Sequence, residues 1–472
     1  MDKNKLPFIS KESKSALKEY IKERKFDSDH TVAKNVWKNL LIDAITILKI
    51  NDSREIIYND TKNNINKFIE NFSLIRKSNS YGIDELDSYF DDFIRFESVL
   101  YGMDNHYRDH VDHVLQVWAM GISILTHYDF VSNDIYIIKK DINFNFDLAE
   151  DDDENEGIEK VKTISKSELW SMWTIIALCH DLGYPIEKTS QINSQARKII
   201  AHFGNMQFTE LDYNFNIFNT FLMDKFLNVI SSKARIGDKS DDKFICHMSI
   251  QPKYKDKFSK SLEDYKHGIF SSLLLFKNLT YFLETDYHSD EKPMNLEDIR
   301  QFFIRKEILR AISGHTCPRV YHIKLNTLPF LLILCDELQE WNRPNIEYRI
   351  EKKILDDNLE VKLSEFEISP EKQIIHIEFK YKFESNDTHI KYLVRKKFKN
   401  IHNLLRGAKD DKKRTGIKFQ WDIEFTNEIY YFIFDTQDET KDSFNLLTTE
   451  FSIINGNGEI SAHRESFHLY DK

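Results

Sequence analysis

The stretch LWSMWTIIALCHDLGYP, residues 169–185, decides the fold class of this chain. Its apolar run predicts a core helix, and Gly183 and Pro185 are the signals that stop it. His180 and Asp181 then place an imidazole and a carboxylate side by side where the helix ends. The stretch therefore predicts a helical core with two metal-binding or catalytic side chains at the end of one helix.

Two further apolar segments carry polar residues of the same kind. In HYRDHVDHVLQVWAMG, residues 106–121, His110 and His113 are three positions apart on a predicted helix, so both can face one side. In LPFLLILCDELQEWNRP, residues 328–344, Asp336 follows an unbroken apolar run, where a buried carboxylate is costly unless a cation or several donors meet it. Metal ligation is the simplest way to stabilise Asp336.

The rest of the chain divides into segments that differ in their residue pattern. Apolar residues at helical spacing predict a helical lead-in over 1–90 and a helical domain over 91–345. Within that domain we predict helices at 190–203, 207–232, 259–285 and 296–313, and a last helix that begins near Thr327 and carries Asp336. The acidic run from Glu150 to Glu156 predicts a solvated insertion near 131–165. From 346 to 472, β-rich runs around one amphipathic helix predict an α+β accessory domain. The predicted fold class is therefore mainly α, with a C-terminal β-rich unit.

Composition excludes several functions for this chain of 472 residues. The net charge of −11 argues against general nucleic-acid binding, although a local basic cleft could bind a small anion. No apolar stretch approaches the roughly 20 residues that span a bilayer, and the N-terminus lacks the apolar region of a secretory signal. We therefore expect a cytoplasmic protein. The four cysteines show no C-x-x-C spacing, which favours buried thiols over a zinc site.

The three apolar segments resemble the HD superfamily of metal-dependent phosphohydrolases, in which a histidine, a later His-Asp dyad and a final aspartate come from different helices. Here His113, His180, Asp181 and Asp336 match that pattern, and the resemblance covers roughly 90–345. It implies a helical HD-domain bundle in which these four residues bind the metal. His110 is the alternative first ligand. His113 is favoured because HVLQV leads directly into the long apolar helix, as in the family.

Two imidazoles and two carboxylates suit a divalent ion such as Mn²⁺, Fe²⁺, Mg²⁺ or Ni²⁺ in six-coordinate geometry. The resemblance implies hydrolysis of a phosphoester or phosphoanhydride of a small substrate, expected to be a nucleotide, through a metal-activated water. Asp181 is then expected to take part in catalysis as well as in metal binding. The alternative is a regulatory HD module that binds a nucleotide without turnover. A homo-oligomer is compatible with either function.

Other residues are candidates for contacts with the substrate. Arg108, Lys188 and Arg319 could balance phosphate charge, together with His110, although a solvated surface charge is the simpler interpretation of any single Arg or Lys here. His315, in the predicted helix-terminal turn SGHTCP, could protonate a leaving group or bind a second metal, or be a structural histidine. The sequence does not choose among phosphorylated substrates.

Overall fold

A computed structural model describes the helical and connecting residues 9–23, 30–50, 82–103, 109–127, 164, 166–204, 217–236, 246–283, 296–317 and 327–339, and the strand residues 362–369, 374–383, 417–425, 428–435, 446–455 and 460–468. Contacts between Cα atoms divide the chain into two compact units. The first ends at Asp336, and the second includes Glu337–Lys472.

The first unit is mainly helical, which confirms the mainly α fold class predicted from the sequence. In the described residues its helices are α1 (Lys11–Glu23), α2 (Thr31–Ile50), α3 (Ile83–Met103), α4 (Val111–His127), α5 (Lys166–Cys179), α6 (Tyr184–Ile200), α7 (Ile217–Ser231), α8 (Pro252–Glu263), α9 (His267–Asn278), α10 (Thr280–Leu283), α11 (Leu296–His315) and α12 (Leu328–Leu338). A 3₁₀ turn, Ala201–Phe203, follows α6. Strands β1 (Ser232–Ile236) and β2 (Cys246–Ile250) pair antiparallel.

Helix α5 is the central helix of this unit and packs against α2, α4 and α11. Its residues from Ser171 to Cys179 are all buried, so its apolar character on every face follows from its position. Gly121 on α4 makes room for the Trp173 ring, because a Cβ there would lie 2.0 Å from a ring carbon. The Trp37 indole on α2 donates a hydrogen bond to the Leu178 carbonyl, 2.8 Å away. These contacts fix the end of α5, where the His-Asp dyad follows.

Two helix boundaries differ from the sequence prediction. Helix α6 begins at Tyr184, three residues after Asp181, with Pro185 in its first turn, where the N–H that proline lacks would have no partner within the helix. The predicted continuous helix over 259–285 is wrong, since the chain breaks between α8 and α9. Tyr265 adopts φ +53°, which no helix interior tolerates, and His267 begins the new helix.

Beyond Gln339, the described residues of the second unit are strands. They are β3 (Lys362–Ser369), β4 (Ile374–Phe383), β5 (Ile417–Phe425), β6 (Glu428–Asp435), β7 (Leu446–Asn455) and β8 (Ile460–His468). They pair in sequence order in one sheet, with β4 and β5 parallel and the other neighbours antiparallel. The predicted amphipathic helix of this region lies outside the described residues, and its assignment as an accessory domain stays a prediction.

The acidic insertion near 131–165 also lies outside the described residues, apart from Ile164. None of the helices in the described part of the chain combines the length and the hydrophobicity that crossing a bilayer requires.

Candidate metal centre

Three helices of the first unit bring His113, His180 and Asp336 together, and we call these residues the first ligand group. His113 lies on α4, His180 directly follows α5, and Asp336 lies on α12. One ligand atom from each lies within 4.8 Å of the others. His113 Nε2 is 3.0 Å from Asp336 Oδ1, and His180 Nε2 is 3.8 Å from the same oxygen. This spacing leaves room for one ion between the three side chains.

Asp181 connects this group to a second one, made of Asp181, His267 and His315. Its Oδ2 lies 3.3 Å from His180 Nε2 and 3.7 Å from His113 Nε2. Its Oδ1 lies 3.2 Å from His267 Nε2 and 3.9 Å from His315 Nε2. The two histidine nitrogens are 3.2 Å apart. Asp181 therefore turns one carboxylate oxygen toward each ligand group.

Backbone carbonyls orient two of the imidazoles. His180 Nδ1 is 2.9 Å from the Ala177 carbonyl, and His315 Nδ1 is 2.6 Å from the Ile312 carbonyl. A carbonyl only accepts hydrogen bonds, so each Nδ1 carries a proton and each Nε2 is left to face the centre. Among the described residues, the buried His180 Nε2 finds no hydrogen-bond partner. A metal ion at this position would accept the lone pair of His180 Nε2.

The charges of the centre favour a cation. The side chains of His113 and His180 are 0% exposed, whereas that of Asp336 is 28% exposed. Burial opposes the charged form of His180, but Asp181 and Asp336 outweigh it and raise its pKa to about 10. Burial likewise opposes ionisation of both aspartates, yet the neighbouring imidazoles hold the pKa of each well below its usual range. Any positive charge is stabilised at the same place.

The pKa values of the two histidines in the second group are shifted in opposite directions. Burial lowers the pKa of His267, but hydrogen bonds and charges from Asp181 and Glu187 raise it to about 9. Burial lowers the pKa of His315 and the charges of His267 and His180 lower it further, although the ring donates a hydrogen bond to Asp181, which acts in the opposite direction. His315 is therefore the imidazole of this group that stays neutral most readily, as a metal ligand must.

Close backbone packing explains why His267 meets His315. Gly268, the second residue of α9, donates its N–H to Thr316 Oγ1 at 3.1 Å. A Cβ on Gly268 would lie 2.6 Å from the Ile312 carbonyl oxygen and 2.8 Å from the His315 ring. The beginning of α9 and the end of α11 therefore touch at a glycine, and each helix delivers a histidine at the contact.

A second glycine joins the dyad to the same helix. Gly183 donates its N–H to Ser271 Oγ at 2.7 Å, and a Cβ on Gly183 would lie 2.2 Å from the His267 carbonyl oxygen. The turn after Asp181 thus packs directly on the first turn of α9. This contact places His267 Nε2 within reach of Asp181.

The structure brings together five of the residues singled out from the sequence: His113, His180, Asp181, His315 and Asp336. The structure places His110 outside both ligand groups, where its backbone N–H donates to Glu97 Oε1 at 2.7 Å. The His110 ring lies 4.0 Å from the Tyr184 ring, centroid to centroid. Lys188 Nζ lies 5.3 Å from the centroid of Tyr184. His110 and Lys188 therefore flank Tyr184.

Arg108 and Arg319 lie outside the described residues. Sequence reasoning missed His267, because the predicted continuous helix over 259–285 gave this histidine no distinctive position. The polar segment EDYKHG, residues 263–268, interrupts the apolar pattern and could have revealed the helix break before His267, although not the role of this histidine. Sequence reasoning also missed Glu187, which contacts His267.

A separate buried cluster of His30, Glu97 and Asp109 contacts His110 through Glu97. His30 Nε2 is 3.0 Å from Asp109 Oδ2 and 4.0 Å from Glu97 Oε2. Burial opposes the charge of His30, but the hydrogen bond and the charge of Asp109, with the charge of Glu97, raise its pKa to about 9. A proton on His30 therefore compensates the two carboxylates, although the same atoms could hold a metal ion.

Comparison with known proteins gave no match: no protein-family profile, no curated protein and no solved structure corresponds to this chain. The family assignment rests on the residues described above and stays a hypothesis.

Proposed function

We propose that this chain is a metal-dependent phosphohydrolase of the HD superfamily whose centre holds two divalent ions. The observation that carries the proposal is the position of Asp181, whose two oxygens face different ligand groups. His113, His180 and Asp336 would hold one ion with Asp181 Oδ2. His267 and His315 would hold the other with Asp181 Oδ1.

The side chains fit such ions. Imidazole nitrogens and carboxylate oxygens are the donor set of Mn²⁺, Fe²⁺ or Ni²⁺, and buried charges of this kind are stable only when compensated. Cys179 and Cys335 precede ligand residues, but burial raises the pKa of both thiols, so neither offers a thiolate. The donor set therefore argues against a structural zinc site.

The formal charges support an anionic substrate. The carboxylates of Asp181 and Asp336 compensate half of the charge of two divalent ions. A phosphate group completes the balance, and the partial exposure of Asp336 leaves an approach to the centre. A bound divalent ion lowers the pKa of a coordinated water and polarises a phosphoryl oxygen, which is the chemistry that phosphoester hydrolysis needs.

The residues of the chain would hold and orient these groups. The Ala177 and Ile312 carbonyls fix the rings of His180 and His315, so little reorganisation is needed on binding. Tyr184, which lies between His110 and His267, would form one wall of the substrate site. Lys188 lies on the same side and would contact a second phosphate of a nucleotide. The helical HD bundle and the α+β accessory domain belong to this proposal.

The test is phosphate release by the full-length chain, loaded with Mn²⁺, from a panel of phosphomonoesters, phosphodiesters and nucleoside triphosphates. We expect Asp181→Ala to lower the rate by about 10³-fold or more, because a metal supplies several kcal/mol and each 1.4 kcal/mol is about tenfold. Asp43→Ala is the matched control, since Asp43 is a buried aspartate that contacts Ser10 and Ser13, away from the centre.

Turnover that is equal in wild type and Asp181→Ala would contradict the proposal. So would a wild-type protein that binds Mn²⁺ but hydrolyses no member of the panel.

A further inference from the structure

Glu187 contacts the second ligand group from outside. Its Oε2 accepts two hydrogen bonds from the same residue, from the His267 backbone N–H at 2.9 Å and from His267 Nδ1 at 2.8 Å. An ionised carboxylate only accepts hydrogen bonds, so Nδ1 carries the proton. Nε2 then points away from Glu187 and toward Asp181 Oδ1, at 3.2 Å. The His267 ring therefore lies between two carboxylates: Glu187 accepts the hydrogen bond from Nδ1, and Asp181 faces Nε2.

The same short segment supplies both carboxylates. Asp181 and Glu187 stand on either side of Gly183, whose N–H donates to Ser271 Oγ. Ser271 Oγ in turn donates to the His267 carbonyl at 3.0 Å. The hydrogen bond from Ser271 thus fixes the backbone of His267, while Glu187 fixes its ring. This arrangement fixes the direction of the His267 ring, with a proton on Nδ1, before any ion binds.

We propose that Glu187 is a positioning residue that orients His267 for the second divalent ion and thereby controls the occupancy of that position. The inference rests on the proposed two-ion centre and adds a residue to it. Loss of a carboxylate that orients a metal-binding histidine typically weakens metal affinity by about 10–100-fold. Glu187 contacts His267 and Lys266, and neither belongs to the first ligand group, so the ion of that group should be unaffected.

The chain offers a matched control for charge. Lys266 Nζ lies 3.7 Å from the other oxygen of Glu187, Oε1, in a pair that is partly exposed. Such a pair contributes little, and it does not touch the oxygen that holds His267. Lys266→Met should therefore leave metal binding unchanged. Unchanged metal binding by Lys266→Met would show that the effect of Glu187 comes from its hydrogen bond to His267 and not from a general change of charge.

The experiment is dialysis of the metal-free, full-length chain against graded Mn²⁺, with ions per chain counted by atomic emission and Mn²⁺ pairs detected by electron paramagnetic resonance. We expect two ions in the wild type and an exchange-coupled spectrum, because Asp181 would be shared. Glu187→Ala should keep the first ion at wild-type affinity, weaken the second by about 10–100-fold and lose the coupling. Glu187→Gln should recover part of the affinity, because the amide oxygen still accepts from Nδ1–H.

Two results would overturn the inference: wild-type binding of both ions by Glu187→Ala, or equal weakening of both ions, which would indicate general structural damage. If Glu187→Ala does not fold, Glu187→Gln decides by the same criteria. His267→Ala is the reference that removes the second position. A wild type that binds fewer than two ions would contradict the two-ion centre itself. If the wild type binds two ions and His267→Ala binds one, the two-ion centre is supported even when the Glu187 variants contradict the role of Glu187.

Discussion

His30 is a buried imidazole whose charge depends on two carboxylates that it contacts, Asp109 and Glu97. Its pKa is raised from 6.5 to about 9 in the folded chain. A raised pKa means that the stabilisation is fully present below pH 6.5 and is lost as the pH rises through 9. At 1.36 kcal/mol for each pH unit, the contribution is at most about 3 kcal/mol.

We therefore predict that the free energy of unfolding of the wild type falls more steeply between pH 6.5 and 9 than that of His30→Gln. Urea unfolding of the metal-free protein at several pH values measures the difference. His202→Gln, at an exposed histidine, is the control and should follow the wild type. Parallel curves for wild type and His30→Gln would show that His30 carries no proton in the folded protein.

Single residues also show what the sequence can and cannot predict. His180, Asp181 and Asp336 could be singled out because each stands at the end of an apolar run, where burial of a polar group is costly. The position of His113 in the ligand group agrees with the preference for it over His110. His267 stands in a polar segment, so its local pattern does not distinguish it from a surface histidine. Its place in the centre comes from contacts with Asp181 and His315.

At the scale of elements, the contact between α9 and α11 decides whether the second ligand group forms. Gly268 lies so close to Ile312 and His315 that an added methyl group must push the helices apart. We predict that Gly268→Ala lowers the free energy of unfolding by about 1–3 kcal/mol and weakens the second Mn²⁺ ion. Urea unfolding and metal dialysis measure the two effects.

Gly314→Ala is the matched control on α11, since nothing lies within 4 Å of its added methyl group. Alanine favours a helix over glycine by about 1 kcal/mol, so this variant should be neutral or more stable. Equal behaviour of the two alanine variants would contradict the close contact between α9 and α11.

Element boundaries were predicted less well than element type. Pro185 was interpreted as a stop signal, and it does follow the end of α5, but it also lies in the first turn of α6. The break before α9 was missed, although the polar segment EDYKHG interrupts the apolar pattern there, because Tyr265, unlike a glycine, gives no sign in the sequence of its positive φ. Both errors concern the short turns that carry Asp181 and His267. Such turns are set by tertiary contacts, here those of Gly183 and Gly268.

At the scale of the whole first unit, five segments distant in the sequence meet at one centre: α4, the turn after α5, and helices α9, α11 and α12. The buried core around α5 could be predicted from its apolar run alone. Which helices pack against each other could not, because that choice depends on the fit of side chains and on close glycine contacts. The family resemblance supplied the association of four residues, but it gave no place to His267 or Glu187.

The most direct test of the central claim is a crystal structure of the Mn²⁺-loaded chain with anomalous scattering measured at the manganese edge. We expect two anomalous peaks, one among His113, His180 and Asp336 and one beside His267 and His315, with an oxygen of Asp181 about 2.0–2.2 Å from each. Loaded crystals that lack either of these peaks would contradict the two-ion centre. A peak bound only by residues outside the two ligand groups would also contradict it.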